Sequence, residues 1–223
     1  MARMPRLVVP GLPHHVTQRG ARRQPTFFED ADYLYYLELL GEFSRKAETE
    51  IWAYCLMPNH VHLVMVPQHE DGQRAVLGEI HRRYTRAVNF RSGWRGHLWQ
   101  ERFHSFVMDE AYLRATLRYV DYNPVAAGLC RDPTQWRWSS AYERRHKVRD
   151  GVVSWDRLRA TIGEYAPGLA VDDDEATRDC IRKHSRSGRP LGDASFVARL
   201  AATTGRSLIP GRPGRRPTRD TVD

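Results

Sequence analysis

Two short stretches carry residues able to do chemistry. The first is "HVHLVMVP" (60–67), with His60 and His62 separated by Val61 in an apolar run. On a strand the side chains alternate, so both imidazoles take one face, roughly 7 Å apart along the chain. Two imidazoles so placed can converge on one cation, or stand as ordinary polar residues of a half-exposed sheet face. The second stretch is "LRYVDYNP" (117–124), where Tyr119 and Asn123 are spaced i, i+4 and share one face of a helix. Asn can lend a carbonyl oxygen to a metal and Tyr can act as a nucleophile. Packing and capping at a helix end is the competing reading. Tyr112 and Tyr122 are nearby, but neither is followed four residues later by a metal-ligand type of side chain.

The elements that must position these residues follow from periodicity. "HHVTQR" (14–19) alternates as a strand and leads into a basic loop, 19–27. Leu34, Leu37, Leu40 and Phe43 recur at helical spacing from Asp30 to about Ala47, with Asp30 as the expected N-cap. Residues 50–57 and 60–67 read as a hairpin turned by Pro58-Asn59. Val61, Leu63 and Met65 then face away from the histidines, where a helix could cover them. A basic amphipathic helix at 74–91 ends before Gly93. A strand at 102–109 and a helix at 110–123 follow, the helix ending near Asn123 because Pro124 disfavours helical geometry before it. The order β-α-β-β-α-β-α is the ferredoxin-like arrangement plus one helix. The fold class is therefore α+β: a ferredoxin-like or RRM-like four-stranded antiparallel sheet with packed helices, a helical C-terminal extension and a basic tail. A helix is expected from Ser140, whose spacing to Glu143 is that of a capping box, with others near 154–163 and 174–184. The domains are 1–142, a helical extension at 143–184, and a basic, partly flexible tail at 185–223 that includes an apolar helix-like segment, 193–205.

The 223 residues carry a net charge of +8, and of the 35 basic residues only three are lysines. Arginine's planar fork grips phosphate and stacks on bases, so a polyanionic partner, nucleic acid first, is implied. GC-rich codon usage explains the preference for Arg over Lys but not the net charge. Near its end the tail carries "PGRPGRRPTRD" (210–220), which cannot bury a core. Cys55, Cys130 and Cys180 form no disulfide framework, and no stretch is apolar and long enough for a leader or a membrane span. A cytoplasmic, nucleoid-associated protein without membrane partners is expected.

Six blocks in order carry a resemblance: "HVTQRG" (15–20), "AYCLMPNHVHLV" (53–64), "RYTRAVN" (83–89), "GHLWQERF" (96–103), "YVDYNPVAAGL" (119–129) and "WRWSSA" (136–141). They resemble the HUH endonuclease superfamily, and within it the single-tyrosine transposases associated with repetitive extragenic palindromes. "SGRPLGDASFVARL" (187–200) resembles that family's C-terminal segment. The resemblance implies a metal-dependent single-stranded DNA endonuclease and strand transferase acting on hairpin DNA. Tyr119 would be the nucleophile, forming a 5′-phosphotyrosine. His60 and His62 would hold Mg²⁺ or Mn²⁺, with Asn123 where relatives often place Gln. Arg19, Arg22, Arg23, Arg82, Arg83 and Arg86 are the candidate DNA contacts. Trp94 and Trp99 are either base-stacking or core residues, and His15 and His104 lie on strands without being taken as ligands. Alternatives are a replication initiator or relaxase-type nickase, and a non-catalytic single-stranded nucleic-acid-binding module. A monomer is favoured over a homodimer.

Overall fold

Alternation along the strands decides which side of the sheet each histidine takes. In the computed structural model, which describes residues 5–148, 151–165 and 175–208, four strands form one antiparallel sheet. They are β1 (His14–Arg19), β2 (Thr49–Met57), β3 (His60–Pro67) and β4 (His104–Val107), in the order β2-β3-β1-β4. This is the ferredoxin-like order, with the first and third strands central. Val16, Leu63 and Met65 point to one face, which is covered by α1 (Asp30–Lys46) and α2 (Gly72–Ser92). Val64, Val66 and Phe106 point to the other. That face is covered by α3 (Glu110–Ala126), α5 (Trp155–Ile162) and α6 (Glu175–Ser187). The register sets His62 opposite Thr17 and Val64 opposite His15, so His15, His60 and His62 share the α3 side.

Several boundaries differ from the sequence expectation, each for a local reason. The N-cap of α1 is Glu29, not Asp30, because the Asp32 carboxylate accepts from the backbone N–H of Phe28 and Glu29. The buried stripe of α1 runs through Tyr33, Tyr36, Leu37, Leu40 and Phe43, whereas Leu34 is exposed. Helix α4 (Ser140–His146) is capped by Ser139, which accepts from Tyr142 N–H. Ser140 is diverted to the backbone of Tyr54 in β2, so the expected capping box does not form. Helix α3 runs three residues past Asn123, with Pro124 buried in its last turn. The helix closes just after it, Gly128 (φ +70°) and Leu129 bonding back to Val125 and Pro124. Strand β4 is confined to 104–107, because beyond it the chain pairs in parallel with Leu191.

Residues 188–208 pack on the domain. Leu191 bonds across to Val107 and Asp109, and α7 (Ala194–Thr204) buries Phe196 and Leu200 with Leu7, Val107 and Leu208. The "PGRPGRRPTRD" segment lies outside the described residues. Among the described residues, no helix is long and apolar enough to cross a membrane. Cys55, Cys130 and Cys180 are free thiols.

Candidate active site

The Pro58-Asn59 turn does more than reverse the chain. Its Asn59 side chain donates to the Arg23 carbonyl at 3.0 Å and accepts from His60 Nδ1 at 2.6 Å. The same turn's carbonyls accept from Gly20, Thr26 and Phe27. The basic loop and the first histidine are thus tied to one residue. Within that loop Arg22 and Arg23 both take left-handed backbone (φ 55° and 62°), a costly conformation for non-glycine residues.

Tyr119 reaches this face from α3. Its ring stands edge-on to His62, with centroids 5.6 Å apart, and to His15 at 5.8 Å. His60 and His62 are 4.9 Å apart, ring to ring. His15 Nε2 lies 3.0 Å from His62 Nδ1, and Ser185 Oγ lies 3.2 Å from His15 Nδ1. Tyr119, His60, His62 and Ser185 line a cleft of about 370 Å³ together with Arg19, Arg23, Arg182 and Arg186, with His15 buried behind His62. Burial lowers the pKa of His15 to about 3. Burial, and secondarily Arg19, lowers that of His60 to about 4. His62 is held well below its ordinary value, by burial first and then by His60, His15 and Arg19. All three rings are neutral at pH 7, the state in which imidazole binds metal.

The expected site residues do not all meet. His60, His62, Tyr119, Arg19 and Arg23 share the cleft. Asn123 lines a smaller adjoining pocket with Tyr119, Tyr122, Arg178 and Arg182. Its amide nitrogen donates to the Tyr119 carbonyl at 2.6 Å. Arg82 and Arg83 pair with Glu79 on α2, across the sheet from the cleft, and Arg86 is exposed on that same helix. Trp99 is buried against His81, whereas Trp94 is half-exposed and packs edge-on to Phe28. His104 bonds to the Ser185 carbonyl and to Glu101. Arg182, Ser185 and Arg186 were not foreseeable as cleft residues, since only tertiary packing brings α6 to the sheet. His15 had a usable signal: it pairs beside His62 once β1 and β3 are neighbours.

A family profile described as "Transposase IS200 like" matches residues 9–123, more than half of the chain. The chain belongs to this family. The match takes in the whole sheet and α3 as far as Asn123, and α6 lies beyond it. A protein of Haemophilus influenzae assigned as a REP-associated tyrosine transposase is 28% identical over 102 residues, 41% of this chain. The chain spans 58% of that relative's length. A solved REP-associated tyrosine transposase bound to a REP hairpin superposes with a TM-score of 0.56 at 20% identity, covering 77% of this chain and 99% of the other. That likeness establishes the shared fold of this IS200-like transposase.

Proposed function

We propose that this IS200-like transposase cleaves and rejoins single-stranded DNA carrying a hairpin, through a covalent bond to Tyr119. The observation that carries the reading is the packing of a half-buried tyrosine ring against His62 and His15 in a cleft walled by arginines. The hairpin-bound relative supports the choice of substrate class. In an open nucleic-acid-binding sheet this face would offer aromatic platforms for bases; here α3 and α6 cover it.

Tyr119 Oη attacks the phosphorus, forming an O–P bond as the P–O3′ bond breaks. The phenol proton is lost to solvent and the departing 3′ oxygen takes one up. The product is a 5′-phosphotyrosine and a free 3′-OH. Because the phosphodiester's energy is kept in the new bond, a 3′-OH can reverse the step and join strands without a nucleotide cofactor. Arg19 and Arg23 hold the phosphate from the β1 side.

A divalent cation, Mg²⁺ or Mn²⁺, fits His60 and His62. Asn59 accepts the Nδ1 proton of His60, which leaves Nε2 as its lone pair. His62 Nδ1–H donating to His15, with His15 Nδ1–H donating to Ser185 Oγ, leaves His62 Nε2 free in the same way. Asn123 is the candidate third donor through Oδ1, the end of the amide not engaged with the Tyr119 carbonyl. Among the described residues no three His, Cys, Asp or Glu side chains form a metal cluster, and oxygen from Asn123, water or the phosphate would have to supply the remaining ligands. A cation held by His60 and His62 would supply Lewis-acid polarisation of the phosphate and offset charge growing at phosphorus.

The test is a denaturing gel after incubation with a library of labelled hairpin oligonucleotides having randomised single-stranded flanks, with Mg²⁺ or Mn²⁺. A covalent protein–DNA band is expected in the wild type and none with EDTA. A band that persists undiminished in EDTA and in the double variant His60→Ala, His62→Ala removes the metal role. Binding without a band on any substrate favours a non-catalytic module.

A further inference from the structure

Nothing in the residue pattern of α6 marks it as chemical, and it lies outside the family match. Yet two of its arginines, Arg182 and Arg186, are one turn apart and line the cleft that holds Tyr119, His60 and His62. Arg182 also lines the adjoining pocket on the Asn123 side of Tyr119. Arg182 therefore borders the tyrosine in both pockets. One nitrogen donates to Asp179 at 2.9 Å, an i,i+3 pair along α6. Tyr119 is, after Asp179, the side chain that most favours the charged guanidinium of Arg182. An exposed i,i+3 pair alone would be ordinary helix decoration. Its place beside Tyr119 in both pockets is what sets Arg182 apart from Arg82, which pairs with Glu79 in the same spacing but on the other side of the sheet.

We infer that Arg182 is a catalytic residue: its guanidinium binds the Tyr119 oxygen and the phosphate that oxygen attacks, stabilising the charge shared between them. The inference rests on the proposed tyrosine chemistry. The geometry suits it because the guanidinium has five N–H donors in a rigid fork. Asp179 engages one edge and fixes the side chain, leaving donors for two oxygens on the tyrosine side. Arg19 approaches Tyr119 from β1, so negative charge on the attacking oxygen and the phosphate would lie between two guanidiniums. The arginine keeps its protons throughout; bonds and protons move as in the cleavage step above. On this view α6 completes an active site whose other parts all lie within residues 14–126.

The experiment compares full-length wild type, Arg182→Gln and Arg182→Lys on one cleavable hairpin oligonucleotide selected from the randomised library. Single-turnover adduct formation is measured at saturating protein, and DNA affinity is measured separately in a Tyr119→Phe background. The side chain of Arg182 is 46% exposed, so neither change opens the core. Arg182→Gln is expected to slow adduct formation by about 100-fold, with affinity changed by less than about threefold. Lys restores part of the rate by its charge but not the fork. Asp179→Asn is expected to show a smaller loss of rate, again without loss of affinity. A wild-type rate in Arg182→Gln, while the wild type forms adduct, overturns the inference and leaves the tyrosine reading intact. Equal loss of affinity and rate makes Arg182 a general DNA contact and also overturns it. No adduct with wild type on any oligonucleotide overturns both.

Discussion

Single residues in this chain take their roles from what the fold sets beside them. His60 and His62 were legible as a pair because alternation along one strand places them together. The spacing within α3 pairs Tyr119 with Asn123 but is silent on which way either side chain turns; in the structure Tyr119 meets the histidines and Asn123 bonds its own helix. His14, next to His15 but on the opposite sheet face, illustrates a purely structural histidine. It is fully buried, its Nδ1 donates to the Leu12 carbonyl at 2.8 Å, and Nε2 accepts from Val9 N–H at 3.1 Å. Only the neutral ring makes both bonds. Burial, partly offset by backbone hydrogen bonds, lowers its pKa to about 4. The unfolded chain, with the ordinary value near 6.5, therefore binds the proton first as pH falls. The stability His14 contributes is complete above pH ~6.5 and is lost as pH falls toward ~4, by about 3 kcal/mol. Urea denaturation across that window should show the loss in the wild type. In His14→Gln the pH slope should flatten by one proton; an unchanged slope would contradict this account.

Among the elements, the hairpin, α1, α2 and α3 were readable because each has a single strong period and a clear breaker. Caps were misplaced by one residue where a tertiary partner claimed the side chain, as Tyr54 claims Ser140. The basic loop was legible only as basic. Its shape depends on Gly20, where a Cβ would run into the Gln24 carbonyl and lie 2.7 Å from Thr26 Cγ2. Gly20→Ala should therefore cost about 1–3 kcal/mol and weaken DNA binding by displacing Arg22 and Arg23. A melting curve and a binding isotherm on the same variant check both effects. Wild-type values for both would show that the loop's backbone has no such constraint.

For the whole molecule, the net charge pointed to a polyanion but not to where it binds. The sheet divides the arginines: Arg19, Arg23, Arg182 and Arg186 lie on the cleft side, while Arg82, Arg83 and Arg86 lie on the α2 side. Neutralising Arg19 and Arg23 together should lower single-stranded DNA affinity and reduce the slope of log K against log salt by about 0.7 per lost contact. Neutralising Arg82 and Arg83 should leave that slope near the wild-type value. The reverse ranking would move the DNA path to the α2 face. Tyr119 and both histidines also come together within one chain. We therefore propose a monomer as the active unit, with an adduct rate per protein that does not change with protein concentration; a rate rising with concentration would require a dimer.

The central claim is the identity of the nucleophile, and mass spectrometry of the trapped adduct tests it most directly. After nuclease trimming and trypsin digestion, the peptide spanning residues 119–131, which holds both Tyr119 and Tyr122, should carry a nucleotide linked through a 5′-phosphate. Fragmentation should place it on Tyr119, and Tyr119→Phe should yield no adduct. A nucleotide on Tyr122, or an adduct that survives in Tyr119→Phe, would contradict the account.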